Sequence, residues 1–161
     1  MNKITKYLEL FSTYILGSFM LVMTAGAIWQ VFSRYVLNSP STITEELLRY
    51  MLVWGTMLGA IVGFVRQEHM ALTLLSSRVS ARTNWWVSLS IHFLIVILFA
   101  GFFTVGGIQM VQNGMRQLSA TLGVKMGFVY LIIPITAILI SIVELGHIVR
   151  LILNRKEMIG R

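Results

Sequence analysis

The sequence predicts an all-α integral membrane protein, a bundle of four transmembrane helices that forms a single domain over residues 1–161. Composition indicates a membrane, because apolar residues make up 57% of the chain, charged residues only 12%, and the mean hydropathy is +0.80. Length agrees, since a helix needs about 20 apolar residues to cross the hydrocarbon. Four stretches approach or exceed this length, and the predicted spans are residues 10–33, 47–65, 85–113 and 126–149.

The first span follows a short basic segment. Lys3 and Lys6 precede Leu10–Ser33, which holds 24 residues without a charge. A cleavable signal sequence has a shorter apolar region and a small-residue cleavage site, and this segment shows neither feature. We therefore expect it to stay in the protein as the first transmembrane helix.

The second span begins at a cluster of charges. Glu45, Glu46 and Arg49 directly precede Tyr50–Val65, a run without any charge. Since an ionic group costs roughly 2.5–3.5 kcal/mol at the middle of a bilayer on insertion scales, these side chains need partners. Two interpretations stay open. The acids pair with Arg49 within one helical turn, or the cluster contacts a partner helix or subunit.

Three glycines follow on one face of the second span. Gly55, Gly59 and Gly63 are four residues apart, so they form a smooth stripe. Helices associate in lipid through close packing of small residues. The stripe therefore predicts a helix–helix contact, either inside the bundle or with another subunit. The third span carries a similar strip of small residues, Ala100, Gly107 and Gly114.

The segment between the second and third spans, Arg66–Trp85, predicts a short helix in the membrane interface, because its apolar and polar residues follow helical spacing. Arg66 and His69 are expected at this interface, on the cytoplasmic side. Trp85 and Trp86 are expected to anchor the start of the third span at the depth of the lipid headgroups.

Two histidines, His92 in the third span and His147 in the fourth, lie toward the same side of the membrane and leave two interpretations open. Facing imidazoles on two helices could hold a haem, which would make the protein a membrane cytochrome subunit. The other interpretation is a hydrogen-bonded structural pair that involves Glu144. We expect no cofactor and no metal site, and the lack of cysteine excludes thiolate and disulfide chemistry.

The middles of the four predicted spans carry no Asp, Glu, Lys or Arg, whereas an ion-coupled pump normally places an ionisable residue there. The sequence also lacks an inverted repeat of broken helices and the motifs of phosphate-binding or hydrolytic enzymes. We therefore expect neither an enzyme nor a complete transport path. A small homo-oligomeric exporter is a further alternative, although the first span lacks a membrane-embedded carboxylate.

The basic residues set the expected orientation. The thirteen Lys and Arg give a net charge of +7, but they lie in short segments between the spans, so they indicate membrane loops and not a nucleic-acid surface. With four spans, both termini and the second loop lie on one side of the membrane. That side carries nine of the thirteen basic residues and the other carries four, so we expect both termini in the cytoplasm.

A series of residues around the second span points to one family. In chain order they are Glu45-Glu46-Leu47-Leu48-Arg49-Tyr50, Val53-Trp54, Gly59-Ala60, Arg66 and His69. Further matching segments are Val31–Tyr35, Leu122-Gly123, Tyr130 and Pro134. Together they resemble the small membrane subunit of tripartite ATP-independent periplasmic (TRAP) transporters, the Q subunit or DctQ-like family. Two positions depart from that pattern: Thr44, where the family often has Trp, and Lys125, where it often has Pro.

The resemblance implies a non-catalytic subunit of the bacterial inner membrane. Its expected partners are the lipid bilayer, a large TRAP membrane subunit that binds sodium and substrate, and a periplasmic substrate-binding protein that delivers acidic organic solutes such as C4-dicarboxylates or sialic acid. The small subunit would widen the rigid scaffold against which the large subunit moves. The residues expected to pack against a partner helix or subunit are Glu45, Glu46, Arg49, Tyr50, Trp54, Gly55, Gly59 and Gly63.

Overall fold

The computed structural model describes residues 3–66 and 81–153. Within them, four helices are long and apolar enough to cross a membrane, so the predicted all-α fold with four spans is confirmed. The predicted interfacial helix lies between Arg66 and Trp85. Residues 67–80 of that segment are outside the described ranges, and residues 81–84 belong to the helix of the third span. The cytoplasmic placement of the termini stays a prediction. The helical segments are Lys3–Tyr35, Thr42–Arg66, Ala81–Val96, Ile97–Phe103, Thr104–Gly114, Met126–Tyr130 and Ile132–Leu153.

These segments form the first to fourth spans, which are Leu10–Tyr35, Thr42–Arg66, Arg82–Gly114 and Met126–Leu153. The second span extends beyond its uncharged run because the polar residues before Leu47 already belong to the helix. The bundle has two ends. The basic end carries Arg66, Arg82 and Arg150, and the loop end carries the connection of residues 115–125 between the third and fourth spans.

The fourth span lies at the centre of the bundle. It packs against the second and third spans, whereas the first span packs on the second. Half of the residues in the most apolar stretch of the fourth span are buried, and none in the corresponding stretch of the first. The first span therefore leaves most of its surface open to lipid or to another protein. The buried core consists of Leu58, Ile61, Val65, Ile132, Ile140 and Val143.

The third span contains a π-helical segment, Ile97–Phe103, between two α-helical halves. Thr104 follows it, and its hydroxyl donates to the carbonyl oxygen of Phe99, five residues earlier, at 2.8 Å. The Phe99 ring also packs edge-on against Phe64 of the second span, with 5.1 Å between the ring centroids. The segment thus brings an aromatic side chain of the third span against the core.

The third and fourth spans approach each other most closely at glycines. A methyl group added at Gly107 would lie 3.0 Å from Cδ of Pro134, and one at Gly114 would lie 2.7 Å from the backbone nitrogen of Gly127. A methyl group at Gly127 would in turn lie 2.8 Å from the carbonyl oxygen of Val111. At Gly114 and Gly127 these distances leave no room for a side chain, and at Gly107 the contact would be tight. Glycine therefore sets the spacing of the two helices at Gly114 and Gly127.

Candidate functional site

Glu46 connects the second span to the loop end. Its carboxylate oxygen Oε2 accepts hydrogen bonds from the backbone N–H groups of Thr121 and Leu122, at 2.9 and 3.0 Å. A carboxylate that accepts two backbone N–H groups makes charge-assisted bonds, which are stronger than bonds between neutral groups. Glu46 therefore fixes the turn between the third and fourth spans to the second span.

The turn that Glu46 binds is also held internally. The backbone N–H of Ser119 donates to the carbonyl oxygen of Val124 at 2.8 Å, and that of Met126 donates to Gln117 at 3.0 Å. Between these bonds the chain reverses at Gly123, whose φ of +66° is a conformation that L side chains rarely adopt. The turn thus sets where the fourth span begins.

Tyr50 and Trp54 extend the contact of Glu46 down the same face of the second span, since the three residues are spaced four apart. The Tyr50 hydroxyl donates to Oε1 of Glu46 and lies 3.2 Å from the sulfur of Met126. The indole N–H of Trp54 donates to the backbone carbonyl of Val129 at 3.1 Å. We call Glu46, Tyr50 and Trp54 the clasp, because together they bind the start of the fourth span.

Glu45 and Arg49 lie apart from the clasp. The guanidinium of Arg49 lies 3.2 Å from Oε1 of Glu45, and both side chains are more than half exposed. The charge cluster of the sequence therefore divides: one acid pairs with Arg49 within a helical turn, and Glu46 contacts another part of the chain. An exposed pair of this kind contributes little to stability and remains accessible to a partner.

The glycine stripe faces the first span, at ordinary packing distances. A methyl group added at Gly55 would lie 3.8 Å from the side chains of Leu16 and Phe19, and one at Gly59 would lie 3.7 Å from Leu16. A methyl group at Gly63 would have no neighbour within 4 Å among the described residues. Two of the three glycines therefore contribute to a contact inside the bundle, but the contact does not require glycine.

The residues expected at the cytoplasmic interface lie at the basic end. Arg66 is exposed at the end of the second span, whereas His69 lies outside the described residues. Trp85 is buried, and its indole N–H donates to the backbone carbonyl of Leu151 in the fourth span at 2.9 Å. Trp86 is 54% exposed and packs edge-on against Trp85. The first tryptophan thus joins two spans, and the second faces outward.

His92, Glu144 and His147 form a buried polar cluster between the third and fourth spans. Nδ1 of His92 bonds to Oε2 of Glu144, and the two imidazole rings lie 5.7 Å apart between centroids. This is the pairing with Glu144 that the sequence leaves open beside the haem alternative. Within the described ranges, no group of three or more His, Cys, Asp or Glu side chains has the geometry to hold a metal ion.

Comparison with known proteins decides the family. The family model "Tripartite ATP-independent periplasmic transporters, DctQ component" matches residues 23–154, which is most of the chain. The chain belongs to the DctQ family. The predicted resemblance is therefore confirmed. Since DctQ proteins are components of transporters and the chain has four apolar spans, it is a multi-pass protein of the bacterial inner membrane.

Three curated relatives carry TRAP transporter names. The sialic acid TRAP transporter small permease protein SiaQ of Vibrio cholerae is 22% identical over 143 residues, which cover 89% of this chain and 80% of the relative. The sialic acid TRAP transporter permease protein SiaT of Haemophilus influenzae is 28% identical over 138 residues, 83% of this chain but only 22% of that longer protein. A putative TRAP transporter small permease protein of Haemophilus influenzae is 34% identical over 76 residues, covering 47% of this chain and 45% of the relative.

The residues that carry the DctQ resemblance have different structural roles. Glu46, Tyr50 and Trp54 turn inward as the clasp, while Glu45 and Arg49 point outward. Sequence reasoning missed what the clasp binds, because the acceptors and donors at residues 121, 122 and 129 are backbone groups that any residue type supplies. It also missed Gly127, because the backbone of residues 111 and 115 that it meets belongs to another span.

Proposed function

We propose that this chain is the small permease subunit of a TRAP-type, sodium-coupled secondary transporter for acidic organic solutes, and that it serves as a static scaffold for the large transport subunit. The observation that carries the proposal is the clasp. It joins the second span, the turn and the start of the fourth span through hydrogen bonds at 2.9–3.1 Å, which favours a rigid unit over a moving one.

The partners proposed are a large TRAP membrane subunit and a periplasmic substrate-binding protein. The SiaT relative supports the first, because this chain aligns with only 22% of that permease and leaves a much longer remainder. The names of the SiaQ and SiaT relatives support an acidic solute of the sialic acid class as cargo. The exposed surfaces of the first and third spans offer the area for contact with the large subunit.

Reconstitution tests the scaffold role. Proteoliposomes that contain the large subunit are supplied with binding protein, substrate and an inward sodium gradient, with and without this chain. We expect uptake only when the chain is present, and no uptake by the chain alone. Full uptake without the chain would overturn the obligatory scaffold role, and uptake by the chain alone would favour the exporter alternative. Loss of uptake on removing the sodium gradient tests the coupling ion.

We propose that the basic end faces the cytoplasm, in accord with the excess of Lys and Arg there. The chain has no cysteine, so a single introduced cysteine gives a unique label. Ala120→Cys lies in the exposed turn at the loop end, and Arg82→Cys lies exposed at the basic end. A maleimide that cannot cross the inner membrane should label the first in intact cells, and the second only after lysis. The reverse pattern would invert the orientation.

A further inference from the structure

The third span carries carboxamide side chains on its outer surface, near the loop end. Gln109, Gln112 and Asn113 are exposed, and none of the three side chains has a hydrogen-bond partner among the described residues. Gln109 lies deepest, five residues before the helix ends at Gly114, which at 1.5 Å per residue is about 8 Å. An amide without a partner is unfavourable in lipid, so such groups in membrane helices bond to a neighbouring helix.

The depth of Gln109 follows from the neighbouring span. Gly107 lies beside Pro134 and Gly114 lies beside Gly127, so Gln109 lies between these two contacts, at the level of the membrane-spanning part of the fourth span. Side chains on a helix lean toward its N-terminus. Since the third span runs from the basic end to the loop end, the amide of Gln109 leans toward the middle of the membrane, away from the nearer headgroups.

Gln109 also lies at one end of an open apolar groove. The groove begins at Leu94, about 20 Å along the helix, and every described residue that lines it belongs to the third span. A methyl group added at Gly101 or Gly106 would have no neighbour within 4 Å among the described residues. We call this recess the outer groove. The bundle does not fill it, and its small residues allow the backbone of another helix to approach.

The first span is also open, but its exposed surface suits lipid. The hydroxyls of Ser18 and Thr24 donate to backbone carbonyls one turn earlier, at 2.9 and 2.8 Å. The one carboxamide of this span, Gln30, is half-buried. Tyr7 and Tyr35 are exposed at the two ends of the helix, where aromatic rings lie at the depth of the lipid headgroups. Exposed carboxamides therefore distinguish the third span from the first.

The occupant of the outer groove is a helix of another membrane subunit. The SiaT relative aligns with this chain over only 22% of its length, so the similar region is joined there to a much longer remainder. We propose that a transmembrane helix of the large TRAP subunit lies in the outer groove, from Leu94 to Gln109, and that Gln109 hydrogen-bonds to a polar group of that helix. This inference rests on the proposed function, which supplies the large subunit.

Photocrosslinking in membranes that contain both subunits tests the location. Phe102 lines the outer groove and is 75% exposed, and Tyr14 of the first span is 74% exposed, so the two rings form a matched pair. Each is replaced in turn by the photoreactive p-benzoylphenylalanine. We expect a crosslink to the large subunit from position 102 and little or none from position 14. A crosslink from position 14 alone would overturn the proposal, as would one from position 102 to lipid alone or to a second copy of this chain.

Co-purification without irradiation separates this inference from the proposed function. If the large subunit co-purifies with the chain but position 102 gives no crosslink to it, the outer groove is not the docking surface and the proposed function stands. If the large subunit does not co-purify and its uptake in proteoliposomes does not depend on the chain, both are wrong.

Gln109→Leu tests the hydrogen bond. The substitution keeps a similar volume and is more apolar, so we expect the Tm of the isolated chain not to fall. Loss of one hydrogen bond between helices should lower the affinity for the large subunit about three- to tenfold. Gln117→Leu makes the same change in the turn at the loop end and is the control. Titration of each labelled variant with purified large subunit in micelles measures the affinity, and equal affinities of the two variants would overturn the role of Gln109.

Discussion

The first and second spans pack against each other differently from the third and fourth. Side chains fill the first contact, where Leu16 and Phe19 lie over Gly55 and Gly59 with space for a methyl group. Backbone meets backbone in the second contact, where the Cβ position at Gly114 lies 2.7 Å from the nitrogen of Gly127. A regular glycine spacing is therefore a weaker guide to close packing than the position of each glycine in the fold.

The comparison is sharpest at Gly127. In Gly127→Ala the added methyl group would meet the backbone of residues 111 and 115, so the third and fourth spans must separate. We expect a loss of about 1–3 kcal/mol in the free energy of unfolding, the usual cost of overpacking. Unfolding by SDS titration in mixed micelles measures it. Gly146→Ala is the control on the same span, because a methyl group there has no neighbour within 4 Å among the described residues.

Glu46→Gln tests whether the fourth span is held mainly by the clasp. The amide oxygen can still accept both N–H groups of the turn, because both donate to one oxygen of Glu46. The charge that strengthens these bonds is lost, and an NH2 group replaces the oxygen that accepts the Tyr50 hydroxyl, so we expect the free energy of unfolding to fall by about 1–2 kcal/mol. Glu45→Gln, at the exposed pair, should change stability by less than about 0.5 kcal/mol. Equal effects of the two variants in the same titration would mean that the turn does not depend on Glu46.

Trp54→Phe removes one hydrogen bond of the clasp and preserves an aromatic ring. The carbonyl of Val129 then loses its indole donor, and we expect the free energy of unfolding to fall by about 1 kcal/mol. Trp86→Phe is the matched control, because that ring is 54% exposed. If Trp54→Phe and Trp86→Phe lower the free energy of unfolding equally, the size of the ring and not the bond to Val129 stabilises this region.

Gly59→Ala should have the smallest effect, although Gly59 belongs to the regular stripe. The added methyl group would lie 3.7 Å from Leu16, an ordinary contact, and alanine favours the helix more than glycine does. We expect the free energy of unfolding to change by less than about 0.5 kcal/mol in either direction. A loss as large as that of Gly127→Ala would remove the distinction between the two helix contacts.

Hydropathy along the chain is sufficient to predict the four spans, because transfer into lipid depends on each segment by itself. Which face of a span meets which neighbour depends on the whole bundle. The sequence predicts only some of these contacts. Glu46 shows the limit, since the backbone groups that it binds are 75 and 76 residues further along the chain. The pair of His92 and Glu144 could be anticipated, because a buried acid and a histidine toward the same side of the membrane need each other.

The π-helical segment Ile97–Phe103 has a consequence for comparing relatives. A turn closed over five residues holds one residue more than an α-turn, so deleting a single residue there would restore a regular α-helix and leave both halves of the span facing as before. A deletion elsewhere in the span would rotate one half by about 100° relative to the other. Single-residue gaps in alignments of this span therefore belong at Ile97–Phe103.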